Sequence, residues 1–520
     1  MKIAAGEWDM DNHYLMAVDL GTSFIKAGIY DIAGNCISVA ENPIISDSSR
    51  AGVFLQKGED ILASVILSMR DAYAGAGGAD ISAIGFTGQM AGFIGVDREW
   101  NDLTSWSCSL DTRYAPYAVR QLHDLQKEFL EIGGTNAPLM APKCEWFTTE
   151  YPEKAARAAK YMPISSYVIG KLGKLDIKDA AVADSYLTWT GLADIQNADW
   201  SPFLCEKAGI NPGLLPRIVR AETVCGHLSE EAAAQIGMKS GVPLVAGAGD
   251  KIAGCTGADV LEKGEWIFEA SSYGAVSCLT DSFKPDTEGR YYDAVPALKK
   301  GDYYLHKYIP GSGITLKWFM DTFSDGQTAG AGSFAALDAK AALLPAGSDG
   351  LMAIGLLGGS EMPFNRELKG NWTGFSWNHR KEHFYRALLE SYAYELAETI
   401  GSIRKMYPAY RKQIRIRIIG GGASSCVWPQ ILADVTGCTF TRLNRKDVAM
   451  LGTMLISAKA IGLIDDISEH VGRMVTETDR FEPREEQFRQ YQKYMEIYRK
   501  LKTDYQETCI SLNKLNRAYV

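Results

Sequence analysis

Several signatures are missing from these 520 residues, and each absence removes a class of function. The ten cysteines stand singly between Cys36 and Cys509, with no CxxC pair and no histidine at metal-ligand spacing, which suits a reducing cytoplasm. The seven histidines form no HExxH, so zinc hydrolysis lacks its ligands, and most of them read as surface or satisfied core residues. No window holds 18 uninterrupted apolar residues, and Glu7, Asp9 and Asp11 fall where a signal peptide needs its apolar stretch. Membrane spanning and secretion are both disfavoured, and a cytoplasmic location is expected. Basic charge is in short supply: 54 Lys and Arg face 63 Asp and Glu, a formal charge of -9 that repels phosphate backbones and anionic membranes. Neither nucleic acid nor a membrane is an expected partner. A single nucleotide is still permitted, because Mg2+, backbone N–H groups and a few local cations neutralise its phosphates. No glycine loop is followed by GKS or GKT, so a Walker A loop is absent as well.

The composition, 46% hydrophobic and 22% charged, is that of a globular protein with sizeable cores. At roughly 100–200 residues per domain the length predicts two or three domains. Tyr14 to Asp19 reads as a buried strand, Leu20 to Ser23 as a turn, and Phe24 to Asp31 and Cys36 to Ala40 as further strands. A helix is expected over Glu59 to Tyr73, where Ile61, Leu62, Val65, Ile66 and Met69 recur at spacings of three and four. Ile81 to Phe86 is the next strand, ending in a loop from Thr87 to Gly92. The grammar recurs after Gly264, with strands over Trp266 to Ala270 and Ala275 to Leu279 around the turn Ser271-Ser272-Tyr273-Gly274. Two similar hairpins predict a duplicated, mixed α/β architecture with a junction near Ala258 to Gly264. Between them PLVAGAGD (Pro243 to Asp250) reads as a strand, followed by a helix from Lys251 to Gly257. Further expected elements are a helix over Phe384 to Met406, a half-exposed Ile/Arg strand over Ile414 to Ile419, and a helix around Trp428 to Val435. The charged, aromatic tail from Glu485 to about Thr508 should be a helix packed outside a domain, without a chemical role.

Several of these turns could carry chemistry. Asp19 ends a buried strand at Gly21-Thr22-Ser23, where glycine permits close approach and turn N–H groups with two hydroxyls could hold phosphate oxygens. A carboxylate there would repel phosphate unless Mg2+ bridged them, often through water, and Lys26 could add a cation. Asp and Gly are also common turn residues, which leaves a purely structural reading open. Ser271 and Ser272 offer the mirror-related hydroxyls, and the two hairpins together would form a two-sided phosphate clamp. Gly420-Gly421-Gly422 stands at a strand-to-helix junction, the usual nucleotide position in open α/β sheets, although glycines also serve strand–helix packing. Gly311-Ser312-Gly313 is a second such turn. Asp250 follows two glycines at a strand end and precedes a helix, as a fixed general base for phosphoryl transfer would. An N-terminal helix cap is its alternative role. Lys251 reads as solvent-facing or a helper and not as a nucleophile.

With these motifs in order, the chain resembles the FGGY family of carbohydrate kinases, within the actin-like ATPase superfamily. AVDLGTSFIKAGIYD is similar to its first phosphate motif, GQMAG to the sugar loop GQMHG of xylulokinases, and GAGD to the catalytic segment. GGGASSCVWPQILADVTG, followed by the small-residue helix AMLGTMLISAKAIG, is similar to the adenosine segment. The resemblance covers about Tyr14 to Gly462. It implies two actin-like (RNase H-like) domains with mixed sheets flanked by helices and a cleft between them, binding ATP, Mg2+ and a small sugar or polyol. The implied divisions are a tail over 1–13, an N-terminal domain over 14–258, a C-terminal nucleotide domain over 259–480 and a helical tail over 481–520. A homodimer is a family-level expectation.

The resemblance further implies Asp250 as catalytic base, and Gly21, Thr22, Ser23 and Lys26 as phosphate contacts. It places Asp19 near Mg2+, and Ser271 and Ser272 at the second phosphate turn, where Ala270 replaces the family's glycine. Gly313, Lys317, Gly421, Gly422 and Cys426 then lie beside the nucleotide. For the sugar it implies Gln89, Met90, Ala91, Asp111, Arg113 and Asp250. Ala91 replaces the histidine of xylulokinases and the glutamate of glycerol kinases, removing a hydrogen-bonding side chain. The family's DxR is kept in Asp111 and Arg113, but its preceding Trp is Ser109, with Trp106 displaced upstream. Lys143 and Trp146 match a family Lys and Trp, and the xylulokinase GERxP becomes GGSEMPFN. The expected activity is phosphorylation of a small sugar or polyol, a ketopentose such as xylulose first. The alternatives are a kinase of another polyol or sugar-derived signal (glycerol, gluconate or autoinducer-type), or a non-catalytic sugar sensor, which would be expected to have lost Asp250, the Asp19 hairpin or both.

Overall fold

A computed structural model describes residues 13–50, 52–323, 331–362, 364–411 and 414–518. All but the last residue of the expected N-terminal tail lies outside them. In the first half, β1 (Tyr14–Leu20), β2 (Phe24–Asp31) and β3 (Cys36–Pro43) form an antiparallel meander, followed by helix α1 (Gly58–Gly75). Strand β4 (Ile81–Gly88) then lies parallel to β1. It extends two residues beyond the expected end, so the turn before β5 (Gly92–Val96) is only Gln89-Met90-Ala91. Short β6 (Trp106–Cys108) pairs with β5, and α2 (Met140–Glu150) packs nearby through Phe147, which meets Phe93 of β5. Strands β7 (Val224–His227) and β8 (Pro243–Val245) complete a sheet of order β7-β8-β4-β1-β2-β3. Helix α3 (Asp250–Gly257) follows directly.

The second half repeats the plan. β9 (Trp266–Ala270), β10 (Gly274–Thr280), β11 (Asp293–Pro296) and β12 (Tyr303–Ile309) pair antiparallel, and helix α4 (Ser312–Phe323) leaves the end of β12. After the long α5 (Lys381–Met406) come β13 (Arg415–Ile419), α6 (Trp428–Thr436), β14 (Thr439–Leu443), α7 (Val448–Ala460) and β15 (Glu477–Phe481). The sheet order is β11-β12-β10-β9-β13-β14-β15, with β13 parallel to both β9 and β14. Each half therefore joins antiparallel strands, three in the first and four in the second, to two parallel strands in the same order, as the two hairpins foretold. The final helix α8 spans Glu485–Ala518.

Close packing joins the halves. Helix α7 belongs to the second half in sequence, yet it lies against the first sheet, where a Cβ on Gly85 would overlap Ser457. It also crosses α3 so tightly that a Cβ on Gly257 would overlap the Val448 carbonyl, and one on Gly452 the Ala253 carbonyl. One expectation needs correction. Arg417 is not half-exposed: β13 is central in its sheet, and the guanidinium is buried against Glu265 (2.9 Å) and Asp259 (3.4 Å). The tail helix does pack on the outside, but with a polar seam: buried Tyr491 and Tyr498 donate to Glu390 (2.7 Å) and Glu395 (2.8 Å).

Candidate active site

The two hairpin turns and the start of α3 meet between the halves. Strand β8 delivers the chain to Gly247, whose φ of +67° is open to glycine. Gly249 then passes so close to the buried Met90 that any Cβ would overlap its thioether. Asp250 is the first helical residue of α3, with Gly249 as cap, so its carboxylate stands at the helix's positive end without serving as the cap. Burial raises its pKa and Glu269 adds to the rise, with Lys251 opposing both. Asp19, at the end of β1, is pushed up to about 6, first by burial and then by the charge of Asp250, with Lys26 and Lys251 holding it down. The structure thus brings Asp19 and Asp250 into one electrostatic unit.

Sequence reasoning missed the third carboxylate, Glu269 on β9, and left Lys251 either solvent-facing or a helper; the first of these is corrected. Lys251 is not solvent-facing. Its ammonium lies 2.7 Å from Glu269 Oε2 and 3.7 Å from Asp250 Oδ2, with the Tyr308 ring 5.8 Å away. Burial would lower the Lys251 pKa, but Asp250 and Glu269 outweigh it and raise the group well above the ordinary lysine value. Burial likewise pushes Glu269 up, and Lys251 with the Ser271 hydroxyl brings it below the usual carboxylate range. The signal available in the sequence was a charged residue inside the otherwise apolar strand WIFEA, which needs a partner when half-buried.

Of the expected phosphate contacts, Gly21 and Thr22 are half-buried and Ser23 and Ser272 exposed on their turns. The Ser271 hydroxyl donates to Glu269 Oε1 at 2.7 Å. Lys26 leans to Glu41 on β3, 3.2 Å away, while still lowering the Asp19 pKa. On the nucleotide side, the Gly313 N–H donates to the Ser271 carbonyl, and a Cβ at Gly313 would sit 2.6 Å from that oxygen. Gly420 (φ +87°) abuts the Ala270 carbonyl, Gly422 is filled by the Trp428 ring, and Gly421 and Cys426 are exposed. Gly422 thus also allows the close packing of Trp428. Lys317 is exposed and paired with Asp321 at 2.6 Å.

The sugar-loop residues form a connected wall. Gln89 donates to the Gly21 carbonyl (2.9 Å) and accepts from Trp106 Nε1 (3.4 Å), so the displaced Trp106 reaches the loop after all. Ala91 is half-buried and offers no polar atom. Asp111 is buried, its two oxygens taken by a bidentate Arg113 (2.9 Å each) and by Ser107 (2.6 Å). Burial raises its pKa, and these donors outweigh it and lower it. Beneath them Lys143 is fully buried, donates to Ser107 Oγ and the Cys108 carbonyl, and is lowered to about 8 by burial. Arg113 stacks on Trp146 at 4.5 Å. Among the described residues no group of three or more His, Cys, Asp or Glu side chains gathers as a metal cage. Nor is any helix long and apolar enough to cross a membrane.

Residues 14–257 match the N-terminal domain, and residues 272–461 the C-terminal domain, of the FGGY family of carbohydrate kinases. The chain belongs to that family. As a carbohydrate kinase it has well-covered relatives: it is 28% identical to a gluconokinase of Bacillus licheniformis, over 93% of this chain and 94% of that protein. It is 24% identical to a xylulose kinase of Bacillus subtilis, over 94% and 97%. The crystal structure of gluconate kinase from Lactobacillus acidophilus shares the fold with a TM-score of 0.88, at 20% identity over 96% and 99% of the two chains. The fold is the two-domain, actin-like one of FGGY kinases, whose phosphate donor is ATP.

Proposed function

We propose that this kinase transfers the γ-phosphoryl group of ATP to a hydroxyl of a small neutral sugar or polyol, a ketopentose such as xylulose first, with Asp250 as general base. The observation carrying this reading is the Asp250 carboxylate itself: at the N-terminus of α3, next to Gly249, which abuts Met90, and within electrostatic reach of Asp19 and Glu269, whose strands lead into the two hairpin turns. It accepts the substrate hydroxyl's proton as that oxygen bonds to the γ-phosphorus and the bond from phosphorus to the ADP oxygen breaks. Thr22, Ser23, Ser271 and Ser272 with their turn N–H groups hold phosphate oxygens, while Gly313, Lys317, Gly421 and Cys426 border the nucleoside. The chemistry of the acidic groups fits a divalent cation: Asp19, desolvated and pushed up to about 6 beside Asp250, gains from positive charge, and Asp19 would hold the Mg2+ of MgATP through water.

Support for a neutral substrate comes from the local cations. Arg113 is bound bidentately by Asp111 and Lys251 by Glu269 and Asp250, while Lys143 is fully buried with its ammonium on the Ser107 hydroxyl and the Cys108 carbonyl, out of a substrate's reach. A site of this kind gives an aldonate carboxylate little to bind. A second reading, an aldonate such as gluconate, is favoured by the relatives that carry the name gluconokinase. The divisions 14–258, 259–480 and 481–520 accompany this proposal, supported by the two separate sheets. The test is ADP formation with Mg2+ across ketopentoses, polyols, glycerol and gluconate. Turnover with a neutral ketose and not with gluconate is expected, and the reverse would establish the aldonate reading. Asp250→Asn should lose about 10²–10⁴-fold in kcat while binding ATP normally, and a variant with full turnover would remove the base assignment.

A further inference from the structure

We propose that Lys251 and Glu269 form a strut between the halves that sets the general base against the second phosphate turn, making both positioning residues for phosphoryl transfer. The inference rests on Asp250 being the base. Four side chains stand in line. Asp250 and Lys251 open α3, which follows the first sheet, and Glu269 and Ser271 lie on β9 and its turn in the second. Glu269 divides its oxygens: Oε2 takes the Lys251 ammonium at 2.7 Å, and Oε1 takes the Ser271 hydroxyl at 2.7 Å. Lys251 reaches on to Asp250 Oδ2 at 3.7 Å. The turn beyond is itself anchored, because the Gly313 and Ile314 N–H groups of α4 donate to the Ser271 and Ser272 carbonyls.

The side chains of Lys251 and Glu269 are only 17% and 26% exposed, so the pair is little screened by solvent. Three carboxylates, Asp19, Asp250 and Glu269, crowd this part of the cleft. Without the Lys251 ammonium, Glu269 would repel Asp250, and the base would lose the cation that stands beside it. With it, Lys251 is tied to the phosphate turn by two short charge-assisted bonds, one at each oxygen of Glu269, and its ammonium holds the Asp250 carboxylate through an ion pair of 3.7 Å. Phosphoryl transfer depends on such positioning, since a displacement of about 1 Å costs on the order of 100-fold in rate.

The experiment measures kcat and KM for ATP and sugar, with unfolding midpoints, in Lys251→Met, Glu269→Gln, the double variant and Lys251→Arg. Glu269→Gln keeps the side chain's shape and guards against a variant that fails to fold. The strut predicts kcat lower by about 100-fold in Lys251→Met with both KM values little changed. It also predicts a double variant no slower than Lys251→Met alone, and recovery of most of the rate in Lys251→Arg. A lower midpoint with unchanged kcat per folded molecule, losses that multiply in the double variant, or an effect confined to KM would each overturn it. If Asp250→Asn stays active, the base reading fails and the strut with it. If Asp250→Asn is dead while Lys251→Met turns over normally, only the strut fails.

Discussion

Two groups, one at the cleft and one in the core, make the protein's chemistry and its stability respond to acid in separable ways. Asp250 must be ionised to take a proton, and burial raises its pKa, so the acidic limb of kcat/KM should stand above that of an ordinary aspartate. A pH–rate profile checks this. His306 on β12 is a stability group. Its Nδ1 is 2.9 Å from Ser277 Oγ, and burial with the nearby Lys251 charge pushes its pKa down to about 3. The fold therefore needs the neutral imidazole. Above about pH 6.5 this costs nothing; as pH falls from there toward 3, the unfolded chain binds a proton that the fold refuses. Stability should then drop by at most about 1.4 kcal/mol per pH unit, and His306→Asn should flatten that slope in denaturant titrations at pH 7, 6 and 5. The sequence marked His306 only as one of seven unremarkable histidines. Its buried Nε2 without a hydrogen-bond partner departs from a satisfied core residue.

At the scale of elements, the crossing of α3 and α7 is decided by backbone approach. A Cβ at Gly452 would overlap the Ala253 carbonyl, an oxygen that cannot swing away. Gly452→Ala should cost about 1–3 kcal/mol and slow turnover, because the crossing also seats Asp250 at the end of α3. Gly401, exposed on α5 with open space around it, is the contrast: Gly401→Ala should stabilise by about 0.5–1 kcal/mol through helix propensity alone. Thermal unfolding of the two variants measures both signs. Strand and helix identities were legible because each depends on local period, and the hairpin of Tyr14 to Asp31 needed only alternation and a glycine turn. The burial of Arg417 was not, because an Ile/Arg alternation looks the same on an edge strand and on a central one.

For the whole molecule, the terminal helix is part of the second core. Removing residues 485–518 would strip Tyr491 from Glu390, and Tyr498 and Lys502 from Glu395, leaving carboxylates buried with fewer partners. Lys307 would remain on Glu395 at 3.2 Å, and Arg386 on Glu390 at 3.0 Å. Breaking such buried sets costs several kcal/mol, on the order of 3–5 per pair, so the truncated chain should lose cooperative unfolding of its second half. Limited proteolysis cutting preferentially after residue 258 would register that loss, and a truncated chain with unchanged unfolding would contradict it.

By itself the sequence determined the duplicated α/β plan, the kinase family and the identity of Asp19, Gln89 and Asp250 as candidates, because these rest on ordered local motifs whose residues are neighbours in the chain. Only the tertiary structure decided what surrounds them. Lys251 and Glu269 are 18 residues apart, Gln89 and Trp106 are 17, and α7 reaches the first sheet across more than 350 residues. Desolvation and charge pairing depend on distances in space that no spacing along the chain encodes. That is why the carboxylates could be read from the motifs while their pKa values, and the cation that holds one of them, could not.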